Sequence, residues 1–224
     1  MSLASNTAAL LGKELRTEFR SRELLTTTVV FIVMIIVLFS FTFDPSYNES
    51  RRFGPGLLWM AFLFAASLML QPCFLREQNN DTLSALRLSV EDPFAIFLAK
   101  LIANTIFLLF TELLMLPLFA VLYNVAIVPQ LHWLVLVFFL GSFGVSIAGT
   151  ALAAVSAQAR MRELLLPLLL LPLLTPVLVA STEVTVGLLE AAPVVQWKGI
   201  GFLVVFDVVF LTVLWLLGEY LLEE

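Results

Sequence analysis

Six long apolar runs, separated by short polar stretches, organise the chain. They fall at about 24–43, 55–75, 94–123, 131–157, 164–181 and 199–217. A helix needs about 20 apolar residues to cross the hydrocarbon core of a bilayer. Each run therefore predicts one membrane-spanning helix, and residues 1–224 predict a single all-α transmembrane domain. The separators carry charge and turn formers: DPSYNESRRFG, REQNNDTLSALRLSVEDP, NVAIVPQ, QARMRE and TEVTVGLLEAAPVVQWK. The last of them reads as a connection outside the membrane, with room for a short surface or re-entrant helix.

Ahead of the first run, Leu11, Leu15 and Phe19 recur at i, i+4 and i+8, while Lys13, Arg16 and Arg20 fall on the other side. That spacing predicts a basic amphipathic helix over 8–23, lying in the membrane interface. The first run is too long for the apolar part of a cleavable signal, so it reads as a span that also anchors.

The polar island at 76–93 predicts a second amphipathic helix, over 81–91. Asp81 is a good N-cap. Leu83, Leu86 and Val90 sit at i, i+3 and i+7, and Ser84, Arg87 and Glu91 form a polar line at the same spacing. Pro93 pushes its predecessor out of the α region and ends this helix. Asp92 and Pro93 then suit the cap and first position of the third span. A loop joining two spans needs only a few residues, and this one is far longer. Either it rests on lipid headgroups, or it docks into a soluble partner and passes on its motion.

Pro167, Pro172 and Pro176 each remove a backbone donor, which predicts a kinked or broken fifth span. The fourth carries Gly141, Ser142, Gly144, Ser146, Ala148 and Gly149, small residues that permit close helix packing. No internal repeat is visible.

Composition agrees with the pattern. The chain is 61% hydrophobic and 13% charged, against about 25% charged in an average soluble domain. Its mean hydropathy is +1.03. Lys13, Arg16, Arg20, Arg22, Arg76, Arg87, Lys100, Arg160 and Arg162 all fall on one side of a six-span arrangement. Arg51, Arg52 and Lys198 fall on the other. The positive-inside bias then puts both termini and the 76–93 island in the cytoplasm.

One cysteine, Cys73, excludes an internal disulfide, and one histidine, His132, excludes multi-histidine metal chemistry. No GxxxxGK[ST] motif occurs, so ATP phosphates have no P-loop here. No catalytic cluster, metal site or nucleic-acid partner is expected. Glu112 and Asp207 fall inside the third and sixth runs, where a carboxyl faces a cavity, a partner or a neighbouring helix. His132, beside Trp133 at the outer end of the fourth, suits an interfacial belt or ligation of haem iron. Cys73 reads as a packing residue. Lys100 reads as snorkelling to headgroups or ordering the adjacent loop.

Several motifs carry a resemblance: GPGLLWM (54–60), FLAKLIAN (97–104), MLPLFAVL (115–122), FFLGS (138–142) and LLPLLTPVLVA (170–180). In this order and over this length the chain resembles the CcmB family, the haem exporter B permeases of cytochrome c maturation, within the ABC-2 export class. The resemblance singles out Pro55, Gly56, Trp59, Lys100, Pro117, Gly141, Pro172 and Pro176. Asn104 and Thr105 stand where some members carry His-Trp.

The resemblance implies a multi-pass permease of a bacterial inner membrane, with six spans and both termini cytoplasmic. It implies a CcmA-type ATPase partner that binds ATP, CcmC- and CcmD-type membrane subunits alongside, and a CcmE-type periplasmic haem chaperone. Haem is then a possible substrate, and Asp81, Leu83, Leu86, Arg87 and Val90 belong to the coupling helix. Two other functions fit the residues: an ABC-2 permease exporting a lipid, drug or polysaccharide, and a membrane scaffold without transport.

Overall fold

Proline, polar caps and two left-handed residues set the helix boundaries. The computed structural model describes residues 3–42, 47–79, 86, 88, 92, 94–157 and 162–222. The order is α1 (Leu3–Ser21), α2 (Glu23–Thr42), α3 (Tyr47–Leu70), α4 (Pro72–Asn79), α5 (Phe94–Leu122), a 3-10 turn (Val128–Gln130), α6 (Leu131–Ala157), α7 (Arg162–Leu189) and α8 (Trp197–Leu222). No strand occurs among the described residues.

Arg22, with φ of 54°, is the single residue between α1 and α2. There the buried Glu18 carboxylate accepts hydrogen bonds from the Leu24 and Leu25 amides, at 3.1 and 3.3 Å. A side chain from the last turn of one helix thus caps the first turn of the next, where amides lack intrahelical partners. Asp92 caps α5 as its sequence position predicts, its Oδ1 accepting from the Phe94 amide at 2.8 Å. Asn124, at φ 51°, closes the same helix, and the Val125 amide reaches back to the Ala120 carbonyl at 3.0 Å. This is the Schellman arrangement, in which Asn tolerates the left-handed turn.

Among the described residues, six helical stretches are long and apolar enough to cross a membrane: Leu24–Phe41, Arg51–Leu75, Phe94–Leu122, Val128–Ser156, Leu164–Leu189 and Trp197–Leu216. Three features differ from the sequence reading. First, Pro55 lies inside α3 instead of opening it, because that helix begins at Tyr47. Second, α7 runs from Arg162 to Leu189 as one helix through all three prolines, so of the expected kink or break the structure excludes the break. Third, the same helix takes in 182–189, read above as part of an outside connection. Thr185 is satisfied within the bundle: its hydroxyl donates to the Ser181 carbonyl at 2.7 Å and accepts from Trp59 Nε1 at 3.0 Å.

α6 is the hub, packing on α3, α4, α5, α7 and α8. Its small residues make that possible. A Cβ at Gly141 would stand 2.4 Å from the Trp59 ring, and one at Gly144 would stand 2.6 Å from Asp207 Oδ1. Trp59 is fully buried, stacks on Phe138 with ring centroids 4.9 Å apart, and meets Phe62 edge-on at 5.5 Å. The GPGLLWM motif is therefore a packing motif, in which Gly54 abuts Phe119 and Trp59 locks α3 to α6 and α7.

The α1 reading needs a correction. Leu11 and Leu15 pack on the protein core, and α1 lies chiefly along α5, not with its apolar line in lipid. Phe19 meets Phe107 edge-on at 6.0 Å but stays 56% exposed.

Gly141→Ala should lower stability by about 1–3 kcal/mol through overpacking. Gly201→Ala, where nothing lies within 4 Å of the new methyl, should not. Thermal unfolding of both variants in detergent tests this; equal shifts would contradict the close-approach account.

Candidate functional site: a buried ion-pair cluster beneath the polar segment

An ammonium inside an apolar bundle needs acceptors, and Lys100 finds them on two other helices. Its side chain is nearly enclosed, the residue being 2% exposed. Nζ donates to Glu77 Oε1 of α4 at 3.0 Å, to Glu14 Oε1 of α1 at 3.3 Å, and to the Cys73 carbonyl. It also stands 5.0 Å from the Phe74 ring centroid. Lys13 of α1 adds a second cation, 2.8 Å from Glu77 Oε1 and 3.0 Å from Glu14 Oε1. Two lysines and two glutamates thus join α1, α4 and α5. The expectation that Lys100 snorkels to headgroups is corrected, because its charge turns inward.

Removing both charges of a buried pair from water costs several kcal/mol per ion, about what good geometry returns. The cluster therefore fixes position more than it adds net stability. Burial by itself raises the Glu77 carboxyl, yet the ammonium groups of Lys100 and Lys13 outweigh it and hold the group below the usual carboxylate range. For Lys13, burial lowers the ammonium, but the hydrogen bond to Glu77 and the charge of Glu14 leave it above the usual lysine range.

The cluster continues into α6. Asn104 Nδ2 donates to Thr150 Oγ1 at 2.9 Å and contacts Cys73 Sγ at 3.3 Å. One turn away on α6, the Ser146 hydroxyl donates to the Leu101 carbonyl at 3.0 Å. Cys73 contributes its carbonyl and thiol to this seam, beyond simple packing. The adjoining cavity, of about 40 Å³, is far below the roughly 300–1,000 Å³ of a ligand pocket. The arrangement ties three helices together and leaves little room for a ligand.

The joint holds both roots of the polar segment. Glu77 sits two residues before the end of α4, and Lys100 lies in the N-terminal part of α5. Between them, Leu86 packs on the core and Leu88 is 90% exposed. Asp81, Leu83, Arg87 and Val90 lie outside the described residues.

The other singled-out residues do not converge here. Glu112 is 2% exposed and Asp207 5% exposed, and neither carboxyl has a hydrogen-bond partner among the described residues. Ser142 neighbours Glu112 without hydrogen-bond geometry, and Asp207 lies against Gly144. His132 is exposed at the start of α6, its ring 5.3 Å from Trp133, which in turn meets Trp197 at 5.4 Å. Pro117, Pro172 and Pro176 are exposed on the helix surfaces, while Pro55 and Gly141 are buried and Gly56 is half-buried. Among the described residues, no three His, Cys, Asp or Glu side chains are grouped to hold a metal.

Sequence reasoning missed Glu14, Glu77 and the Asn104–Thr150 contact. The usable signal was Lys100 itself, since a lysine within an apolar run calls for an acid on a neighbouring helix.

The profile of the family described as "CcmB protein" matches residues 5–216 of the chain. "Heme exporter protein B" of Pseudomonas aeruginosa is 31% identical over 184 residues, 82% of each chain. The protein of the same name from Rhodobacter capsulatus is 30% identical over 175 residues, 78% of this chain and 80% of its own. That of Paracoccus denitrificans is 30% identical over 178 residues, again 78% and 80%.

Lys100→Met removes one of the two cations of the cluster while Lys13 still meets both carboxylates, and should cost about 1–3 kcal/mol. Adding Glu77→Gln should recover part of that loss, a coupling that a double-mutant cycle of unfolding in detergent reads directly. Strict additivity would show that the two groups do not act as a pair. Because Glu77 titrates low in the fold, its contribution is full above the ordinary carboxylate pKa of about 4.3. It is lost as pH falls below that value, and Glu77→Gln should flatten this part of the stability–pH profile.

Proposed function

The chain belongs to the CcmB family, and from that premise we propose that it is the membrane permease subunit of a haem exporter serving the maturation of c-type cytochromes. The family match spans all six apolar helices, and the relatives carry the name heme exporter. It is a transporter subunit without an ATP-binding P-loop, so hydrolysis belongs to a CcmA-type partner. CcmC- and CcmD-type subunits lie alongside in the bacterial inner membrane, and a CcmE-type chaperone meets the opposite, periplasmic face.

One observation carries the coupling mechanism: the Lys100 cluster, which ties both roots of the polar segment to α1. The segment 81–91 is the part that docks on the ATPase in a helix-in-groove mode, with Leu83 and Val90 offered to the partner while Leu86 packs on the core of this chain. When the ATPase moves this segment, α4 and α5 move together, because separating Glu77 from Lys100 would strand buried charge. The Asn104–Thr150 contact passes the displacement to α6. α6 then shifts against α7 and α8, and the unpartnered Glu112 and Asp207 carboxyls are the groups whose surroundings such a shift alters. Haem is the cargo of this system. His132, the only imidazole in the chain, is the side chain this subunit offers to its iron at the outer face.

Leu83→Asp with Val90→Asp should leave the permease in the membrane but abolish ATPase co-purification and cytochrome c accumulation. Retention of both at wild-type levels overturns the docking assignment. Asp207→Asn should lower cytochrome c maturation at normal membrane abundance, measured by haem staining against permease immunoblots. Unchanged maturation removes Asp207 from the mechanism.

A further inference from the structure

α1 has two working faces, and only the inner one belongs to the joint described above. On the inner face lie Leu11, Glu14, Leu15 and Glu18, turned toward the bundle. Arg16 and Arg20, one turn apart, are exposed on the opposite side, and Lys13 is half-exposed beside them. Neither arginine has an ion-pair partner among the described residues. Two like charges one turn apart on a helix repel each other mildly, and an anion between them would turn that repulsion into attraction.

Geometry says which medium this face meets. α1 lies along α5 within the apolar stretch Phe94–Leu122, and Phe19 touches Phe107, well inside that stretch. Ile102 and Ile106 nearby are more than one-third exposed, as lipid-facing side chains are. Because a single residue separates α1 from α2, whose apolar window opens at Leu24, the end of α1 falls at the edge of the apolar layer. Phe19, 56% exposed, turns to acyl chains, and the arginines reach phosphates. An apolar anchor combined with basic residues at one level is the usual recipe for recognising anionic lipid.

We propose that Arg16 and Arg20 of α1 bind the phosphate of an anionic phospholipid, with Phe19 against its acyl chain. The bound lipid presses α1 onto α5 and so supports the Glu14–Lys100 and Lys13–Glu77 contacts on its inner face. Any effect on ATPase coupling rests on the docking assignment above; the lipid site itself does not.

The test uses the full chain in nanodiscs of phosphatidylcholine, with or without phosphatidylglycerol, read by native mass spectrometry for retained lipid and by thermal unfolding. Phosphatidylglycerol should be retained and should raise the unfolding midpoint. Arg16→Gln with Arg20→Gln should weaken retention by about fivefold per arginine and cancel the shift. Arg16→Lys with Arg20→Lys, which keeps both charges, should preserve most of it, and Lys198→Gln at the other end of the bundle should change nothing. Inorganic phosphate in phosphatidylcholine discs should not substitute. Equal stabilisation by free phosphate, or undiminished phosphatidylglycerol retention in the Gln variant, overturns the proposal. No ATPase is needed for the measurement, so its failure is separate from failure of the docking assignment.

Discussion

The buried ammonium of Lys100 constrains the rest of the terminal end of the bundle. A lone cation at 2% exposure is untenable in an apolar interior, so its acceptors must arrive from elsewhere in the chain. They come from positions 86 and 23 residues away. That requirement places α1 along α5, sets α4 across their ends, and brings the two roots of the 80–91 segment to one point. The geometry is demanding because both partners pay desolvation, and a displaced acceptor leaves an uncompensated charge. A soft apolar contact would slide under load; this one resists.

α6 meets the same kind of demand by subtraction. Where α5 accommodates a charge by importing acids, α6 accommodates five neighbours by omitting side chains. Trp59 occupies the volume that Gly141 leaves, and Asp207 the volume beside Gly144. The outcome is a hub with little slack, in which the movement of one neighbour is felt by the others. Buried carboxyls without partners among the described residues, at Glu112 and Asp207, are costly in such a setting. They lie between the hub and two of its neighbours, beside Ser142 and Gly144.

Much of this was legible in the sequence, and the failures have physical causes. Hydropathy located six spans because lipid imposes one length and one polarity on all of them. Asp92 announced its cap because capping is local chemistry. The segment 182–189 misled because Thr182, Glu183 and Thr185 look like loop residues. Thr185 instead bonds its own helix and Trp59, a partner 126 residues away. The prolines do not break α7, because packing can hold a helix together where its own ladder has gaps. Lys100 misled because snorkelling needs only a nearby surface, whereas burial needs remote acids that no local pattern displays. The amphipathic line of α1 was real, but periodicity cannot say whether lipid or protein covers it.

The three prolines of α7 have a mechanical meaning. Pro167, Pro172 and Pro176 cannot donate to the carbonyls one turn before them, so the helix lacks three longitudinal ties within about ten residues. Its bending stiffness over that stretch comes from α3, α6 and α8 pressing on it more than from its own backbone. α7 is therefore compliant where its neighbours are stiff. A strain entering through the rigid ionic joint at one end of the bundle would concentrate there, much as a loaded frame flexes at its weakest strut.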